Sequence, residues 1–270
     1  MNMAAENNNV EQVRELGRGI RESLGLMTLP IGIYFCRKDE QCDLTGFRRP
    51  YKDLGIRVAF CQAINIVRTY GWSLAIGLED SYCMVAAEAL GLTDKYLDYI
   101  DKEIPPWHTA DKGANEIIVS ALHERFLEPN SMRLVLLFPL ERAGVVPHLV
   151  VIYGMPAQIS SIAKALIWYG ILPQTSFIGM ASCTLIPRSL KSNTVQMSIP
   201  GSGELILGRT ENYELSIIIP YDKVGLVLEG LKNVRRIHPY PLAKFSLYEP
   251  KVPSWYRVLT HDYYEERKNG

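Results

Sequence analysis

Cys61, Cys83 and Cys183 stand far apart in the chain, each beside small or polar residues: Phe60-Cys61-Gln62-Ala63, Glu79-Asp80-Ser81-Tyr82-Cys83 and Gly179-Met180-Ala181-Ser182-Cys183-Thr184. Thiols collected from distant segments have two common meanings. They hold a soft metal or an iron–sulfur cluster where the segments converge, or they are small buried apolar residues. The Cys-x-x-Cys runs of electron-transfer cluster proteins do not occur. Dispersed single cysteines suit a [4Fe–4S] cluster held by three thiolates, with one iron left open to act as a Lewis acid as well as an electron carrier. Zinc held by three thiolates and a fourth ligand is the other metal reading. His108, His123, His148, His238 and His261 show no paired metal spacing, so no fourth ligand can be named.

Cys61 and Cys83 each open a predicted helix. A helix N-terminus lowers a thiol pKa, which suits a metal ligand or a nucleophile. Glu79 and Asp80 precede Cys83 at a predicted strand end, where polar site residues of α/β folds gather. Either is a candidate for proton transfer beside a cluster; the commoner role of such a pair is an acidic helix cap. Cys36 ends a predicted strand and Cys42 lies in the charged loop after it, close enough in sequence to form a redox pair. Gly201-Ser202-Gly203 hints at a phosphate loop, but its place between predicted strands reads as a tight hairpin. Arg57, Arg68 and Arg188 lie near the cysteine segments and could face an anionic substrate, although solvated surface charge is commoner. Ser182 has no Gly-x-Ser-x-Gly around it, so a serine hydrolase is not indicated.

The elements that must position these residues follow from periodicity. Val10, Val13, Leu16, Ile20 and Leu24 predict a helix after a polar, frayed start. Ile31–Cys36, Trp72–Leu78, Arg133–Pro139, His148–Gly154, Val195–Ile199 and Tyr213–Ile219 read as strands. Phe60–Tyr70, Cys83–Leu90, Gln158–Tyr169 and Val224–Leu231 read as helices, the first three closed by Gly71, Gly91 and Gly170. Thr93–Asn115 reads as surface structure and loop. The strand–Pro–helix patterns of residues 151–169 and 215–231 resemble a degenerate repeat. Strands alternating with helices predict an α/β or α+β fold, one domain with a central mixed sheet flanked by helices.

The chain has 270 residues, is 47% hydrophobic and carries 29 acidic and 29 basic residues. The zero net charge gives no electrostatic footprint for nucleic acid. No run of about 18 apolar residues is present to span a bilayer, and the polar first ten residues do not resemble a secretory signal. The expectation is a cytoplasmic protein off the membrane. Five cysteines, an odd number, do not make a closed disulfide framework. The tyrosines of the C-terminal region, among them Tyr240, Tyr248, Tyr256, Tyr263 and Tyr264, suggest packing or a homo-oligomer interface.

A series of short motifs in fixed order then gains weight: Leu29-Pro30-Ile31-Gly32-Ile33-Tyr34-Phe35, the Cys61 and Cys83 segments, the helix beginning Pro156-Ala157-Gln158, Ala181-Ser182-Cys183, and Pro200-Gly201-Ser202-Gly203-Glu204. The order resembles the uncharacterised cysteine-containing ArCR family of archaea and anaerobic bacteria, domain-of-unknown-function 169, over roughly residues 12–232. The resemblance implies that Cys61, Cys83 and Cys183 act together, with acids at Glu79 and Asp80. It brings no settled activity. Where such proteins often have Pro-Cys-x-Gly-Asp-Arg, this chain has Pro200-Gly201-Ser202-Gly203-Glu204-Leu205, which fits three thiolates better than four.

The expected organisation is a flexible N-terminus over residues 1–11, the family domain over 12–232, and a C-terminal extension over 233–270 packing on the domain or a partner. The leading functional expectation is one [4Fe–4S] cluster on Cys61, Cys83 and Cys183, serving redox chemistry or activation of a small anionic ligand, with a redox partner protein. The alternatives are a non-catalytic accessory subunit with structural or zinc-binding cysteines, and an enzyme with a cysteine nucleophile.

Overall fold

The computed structural model describes residues 3–94, 110–176, 181–234, 258–259 and 261–269. The chain divides into two compact units, residues 1–235 and 236–270.

In the first unit seven strands form one mixed sheet. They are β1 (Ile31–Arg37), β2 (Leu74–Ile76), β3 (Met132–Pro139), β4 (Leu149–Gly154), β5 (Gln174–Ser176), β6 (Gln196–Ser198) and β7 (Leu215–Pro220). Their order across the sheet is β2-β3-β1-β4-β7-β6-β5. All neighbours are antiparallel except β5 and β6, which run parallel.

Successive strand side chains point to opposite faces, and both faces are apolar here. Ile31, Ile33, Phe35, Val135, Leu137, Leu149, Val151 and Tyr153 join one core cluster. Cys36, Leu134, Leu136, Phe138, Val150, Ile152, Ile217 and Ile219 join the other. Helices cover both, which makes three layers.

The first face is covered by α3 (Phe60–Tyr70), α4 (Met84–Ala89) and the turns after residue 180; a short α2 (Pro50–Leu54) precedes them. Phe60, Ala63, Ile64 and Val67 are the buried stripe of α3, at the spacing of one helical face. The helix ends at Gly71, whose φ of 69° lets it take the left-handed cap that a side chain resists.

The second face is covered by α1 (Met3–Leu24), α6 (Pro156–Ile167) and α9 (Tyr221–Asn233). Between them in sequence come α5 (Lys112–His123), α7 (Ile186–Ser192) and α8 (Ser202–Ile206). The two strand–Pro–helix units lie side by side: β4 pairs with β7 antiparallel over six residue pairs, and α6 packs on α9. Gly230 permits that helix crossing, because a Cβ there would sit 2.3 Å from the Ala165 carbonyl oxygen.

The α+β fold with a central mixed sheet is as the alternation of elements predicts. Boundaries differ in places. Helix α1 starts at Met3 rather than Val10, since Ala4, Ala5 and Glu6 are good helix formers and nothing interrupts them. Trp72–Leu78 contributes only a three-residue strand before a 3₁₀ turn, Leu78–Asp80. In the second unit the described residues include the polar helix α10 (His261–Asn269). The expectations for residues 233–257, and for most of Thr93–Asn115, fall largely outside the described residues.

Candidate functional site

Cys61 is the second residue of α3, Cys83 is the residue that caps α4, and Cys183 is the centre of a π-helical turn, Ala181–Leu185. That turn packs on both α3 and α4, and α8 packs on α3. All three thiols are free; Cys83 and Cys183 pack against the core of one sheet face, and Cys61 is buried at the start of α3, the helix that covers that face. They also feel one another electrostatically. Burial pushes the Cys61 thiol up to about 12, with Glu204 and then Cys83 adding to the rise. Burial raises Cys183 well above the ordinary thiol range, followed by Cys83, Cys61 and Glu204. The three segments that the sequence singles out therefore converge on one place.

The sequence led us to expect a helix N-terminus to lower the thiol pKa; for Cys61 the shift runs the other way. An N-terminal dipole contributes about 0.3–1 kcal/mol near the surface, whereas full burial moves a pKa by up to about 3–5 units. Desolvation and a neighbouring carboxylate win. At neutral pH Cys61 and Cys183 are protonated, and Cys61 Sγ donates a hydrogen bond to the Gly203 carbonyl oxygen at 3.3 Å.

The carboxyl group among these thiols is Glu204. It is 2% exposed, and its oxygens accept four hydrogen bonds. Tyr153 Oη (2.7 Å) and Ser182 Oγ (3.1 Å) donate to Oε1. The backbone N–H groups of Gly201 (2.9 Å) and Ala181 (3.1 Å) donate to Oε2. Glu204 thus fastens the cysteine-bearing π turn to the start of α8 and to strand β4. The Gly201-Ser202-Gly203 segment accordingly caps a short helix and does not make the hairpin its position suggested. Gly208 lets the following chain close on the site: a Cβ there would stand 2.7 Å from the Glu204 carbonyl oxygen and 3.0 Å from that of Cys61.

Tyr153 links the site outward. Its ring lies under the Arg68 guanidinium, 4.6 Å from centroid to Cζ. Arg68 Nη1 and Nη2 donate to Glu214 at 2.7 and 2.8 Å in a buried fork, and Nε donates to Asn65 Oδ1 at 2.9 Å. Arg68, Tyr153 and Glu214 form part of the wall of a cleft of about 340 Å³, together with Asn65, Arg209 and Glu211. Arg209 is exposed and holds a φ of 52°, uncommon for a residue with a side chain.

Glu79 and Asp80 take different places. Asp80 is 0% exposed; its oxygens accept from Arg49 Nε (2.7 Å), Tyr51 N (3.1 Å) and Gly77 N (2.9 Å), and it pairs with Arg49 Nη2 at 2.7 Å. Those contacts fix the turn that leads from β2 to Cys83. The Glu79 side chain is 79% exposed, with Arg49 at 3.8 Å. Arg57 stacks on Tyr51 and donates to the Glu79 carbonyl. Arg188 lines a separate cleft with Arg125 and Lys191.

Glu204 and Tyr153 escape sequence reasoning. Glu204 enters the sequence reading only as the last residue of the Pro-Gly-x-Gly-Glu motif, and the apolar residues after it do not mark it as buried, since Ile206 is exposed. Cys36 and Cys42 form a disulfide, with Cα atoms 6.3 Å apart. Cys36 belongs to the core cluster of the opposite sheet face from the three free thiols.

Fold and site together define a three-layer α+β protein in which three free thiols converge beside one buried carboxyl group. The chain belongs to the uncharacterised ArCR family, domain-of-unknown-function 169, whose model matches residues 19–230. No curated protein and no solved structure matches the chain. No helix among the described residues is long and apolar enough to cross a membrane.

Proposed function

We propose that this chain is an iron–sulfur protein of the anaerobic cytoplasm, with Cys61, Cys83 and Cys183 as the ligands of one [4Fe–4S] cluster. The observation that carries the reading is the convergence of three unbonded thiols from three elements on one place, Cys61 buried and Cys83 and Cys183 partly buried. Among the described residues the set of ligand atoms lying within 4.8 Å of one another is Cys36, Glu40 and Cys42; the three free thiols do not form a closed single-ion site.

Such a cluster, when bound, supplies electron transfer and Lewis acidity at the iron that lacks a thiolate. The chain's own residues do the rest. Burial shields the Cys61 sulfur from water, and the raised pKa values of Cys61 and Cys183 mean that loading must release protons. Glu204, held by four donors, is the carboxyl group whose charge acts on Cys61 and Cys183, whereas Asp80 is bound up with Arg49 and Glu79 is exposed. Tyr153 Oη on Glu204 Oε1 ties that group to the cleft of Arg68 and Arg209, where Arg209 offers a positive charge to a small anionic ligand.

Iron, zinc and acid-labile sulfide per chain on anaerobically prepared protein test the reading. About four irons and four sulfides with a broad brown absorption support it. One zinc without sulfide, or no metal, overturns it in favour of an accessory subunit with structural or zinc-holding cysteines. That second reading draws support from the same burial, since a neutral buried thiol is also a good core residue.

A further inference from the structure

On the other face of the sheet from the free thiols, the Cys36–Cys42 pair has its own surroundings, and they are asymmetric. Cys36 is 0% exposed and sits in β1. Cys42 is partly exposed and lines a cleft of about 760 Å³ with Tyr34, Glu40, Phe47 and Val146. The ladder between β1 and β3 shifts register at Cys36/Arg37: Cys36 pairs with Leu134 and Arg37 with Met132, so Arg133 is the unpaired residue of a bulge. Bulges re-aim side chains, and this one brings Arg133 Nη2 to 3.4 Å from Cys36 Sγ. The Glu40 carboxylate lies within 4.8 Å of both sulfurs. It is clamped by Tyr34 Oη and by the Arg37 N–H, the latter at 3.1 Å. Tyr34 in turn stacks on His148, 4.4 Å between ring centroids.

We infer that Cys36–Cys42 is a redox-active disulfide that exchanges with an external dithiol, entered at Cys42 and left through Cys36. A donor thiolate reaching the cleft attacks Cys42 Sγ. The Sγ–Sγ bond breaks and Cys36 departs as a thiolate beside the Arg133 guanidinium, which stabilises it. The donor's second thiolate then attacks the donor sulfur of the mixed disulfide and releases Cys42. Two electrons pass from the dithiol to the protein, and the two protons lost by the donor thiols end on Cys36 and Cys42. Glu40 is placed to relay one of them. The cationic neighbour lowers the leaving-group pKa, and a lower leaving-group pKa speeds exchange. A cation at the leaving sulfur and an open cleft at the attacked one are the two features that thiol–disulfide exchange requires. This inference does not depend on what Cys61, Cys83 and Cys183 hold.

The test uses the full chain, oxidised and never denatured, incubated with dithiothreitol, then alkylated and mapped by mass. The expected result is reversible gain of two alkylation sites, confined to Cys36 and Cys42. Arg133→Leu should slow the opening by about tenfold through the poorer leaving group. With oxidised glutathione, Cys36→Ser should accumulate a mixed disulfide at Cys42, and Cys42→Ser should accumulate far less at Cys36. A bond that opens only after denaturation overturns the inference. So do equal trapping at the two positions and an opening rate indifferent to Arg133.

Discussion

Tyr153 Oη donates a 2.7 Å hydrogen bond to Glu204 Oε1, and through that bond a strand of the sheet, the cysteine-bearing π turn and the short helix after residue 201 share one carboxyl group. Removing the charge there should be read first at the thiols. Glu204 is the second cause, after burial, of the raised Cys61 pKa. Glu204→Gln should therefore bring Cys61 down from about 12 while burial keeps it above the usual thiol range. The check is the pH dependence of Cys61 alkylation in metal-free protein. The variant should also lose roughly 1–3 kcal/mol of stability, because a Gln side chain cannot accept from all four donors.

Arg68 and Glu214 form a buried fork, with side chains 4% and 11% exposed. Breaking such a pair from one side leaves a charge in the core and costs about 3–5 kcal/mol. Arg68→Met and Glu214→Gln should each destabilise on that scale in denaturant titrations. The double change Arg68→Met with Glu214→Leu should recover much of the loss.

Gly208 stands where a Cβ would meet backbone atoms of Glu204 and Cys61 rather than yielding side chains. Gly208→Val should cost about 1–3 kcal/mol by overpacking. Because the strain falls on Cys61 itself, metal uptake should fail in this variant under conditions where circular dichroism still shows the native fold.

His148 Nδ1 accepts a 3.0 Å hydrogen bond from the Phe35 N–H, so the neutral ring is the fitting form. Burial lowers its pKa below 6.5, outweighing the opposite pull of Glu40. In the unfolded chain the ring binds a proton more readily. Stability is thus fully present above pH 6.5 and falls as pH drops from there toward the lowered folded value. His148→Asn keeps an acceptor for Phe35 and removes the titration. It should flatten that part of the curve of stability against pH.

Much of the scaffold was legible because single elements carry their own signals. Phe60, Ala63, Ile64 and Val67 repeat at helical spacing and Gly71 stops them, and α3 runs over just those residues. The apolar runs of β3, β4 and β7 are buried on both faces, and they read as strands. Strand β5 was not legible: Gln174-Thr175-Ser176 is a polar edge whose ladder to β6 is set by tertiary pairing. Helix α7 was hidden by Pro187, which sits in its first turn where the missing N–H does no harm. The site shows the same divide. The cysteines announce themselves by type, but apart from the local Gly201 N–H the partners of Glu204 come from positions 153, 181 and 182, and no local pattern connects them.

The most direct test of the thiol site compares iron and acid-labile sulfide in the wild-type chain with Cys61→Ser, Cys83→Ser, Cys183→Ser and the double change Cys36→Ser/Cys42→Ser, all prepared without oxygen. The account predicts about four irons and four sulfides per chain in the wild type and in the double variant, with most of both lost in each of the three single variants. Equal metal content across all five proteins would contradict it, as would loss only when Cys36 and Cys42 are changed.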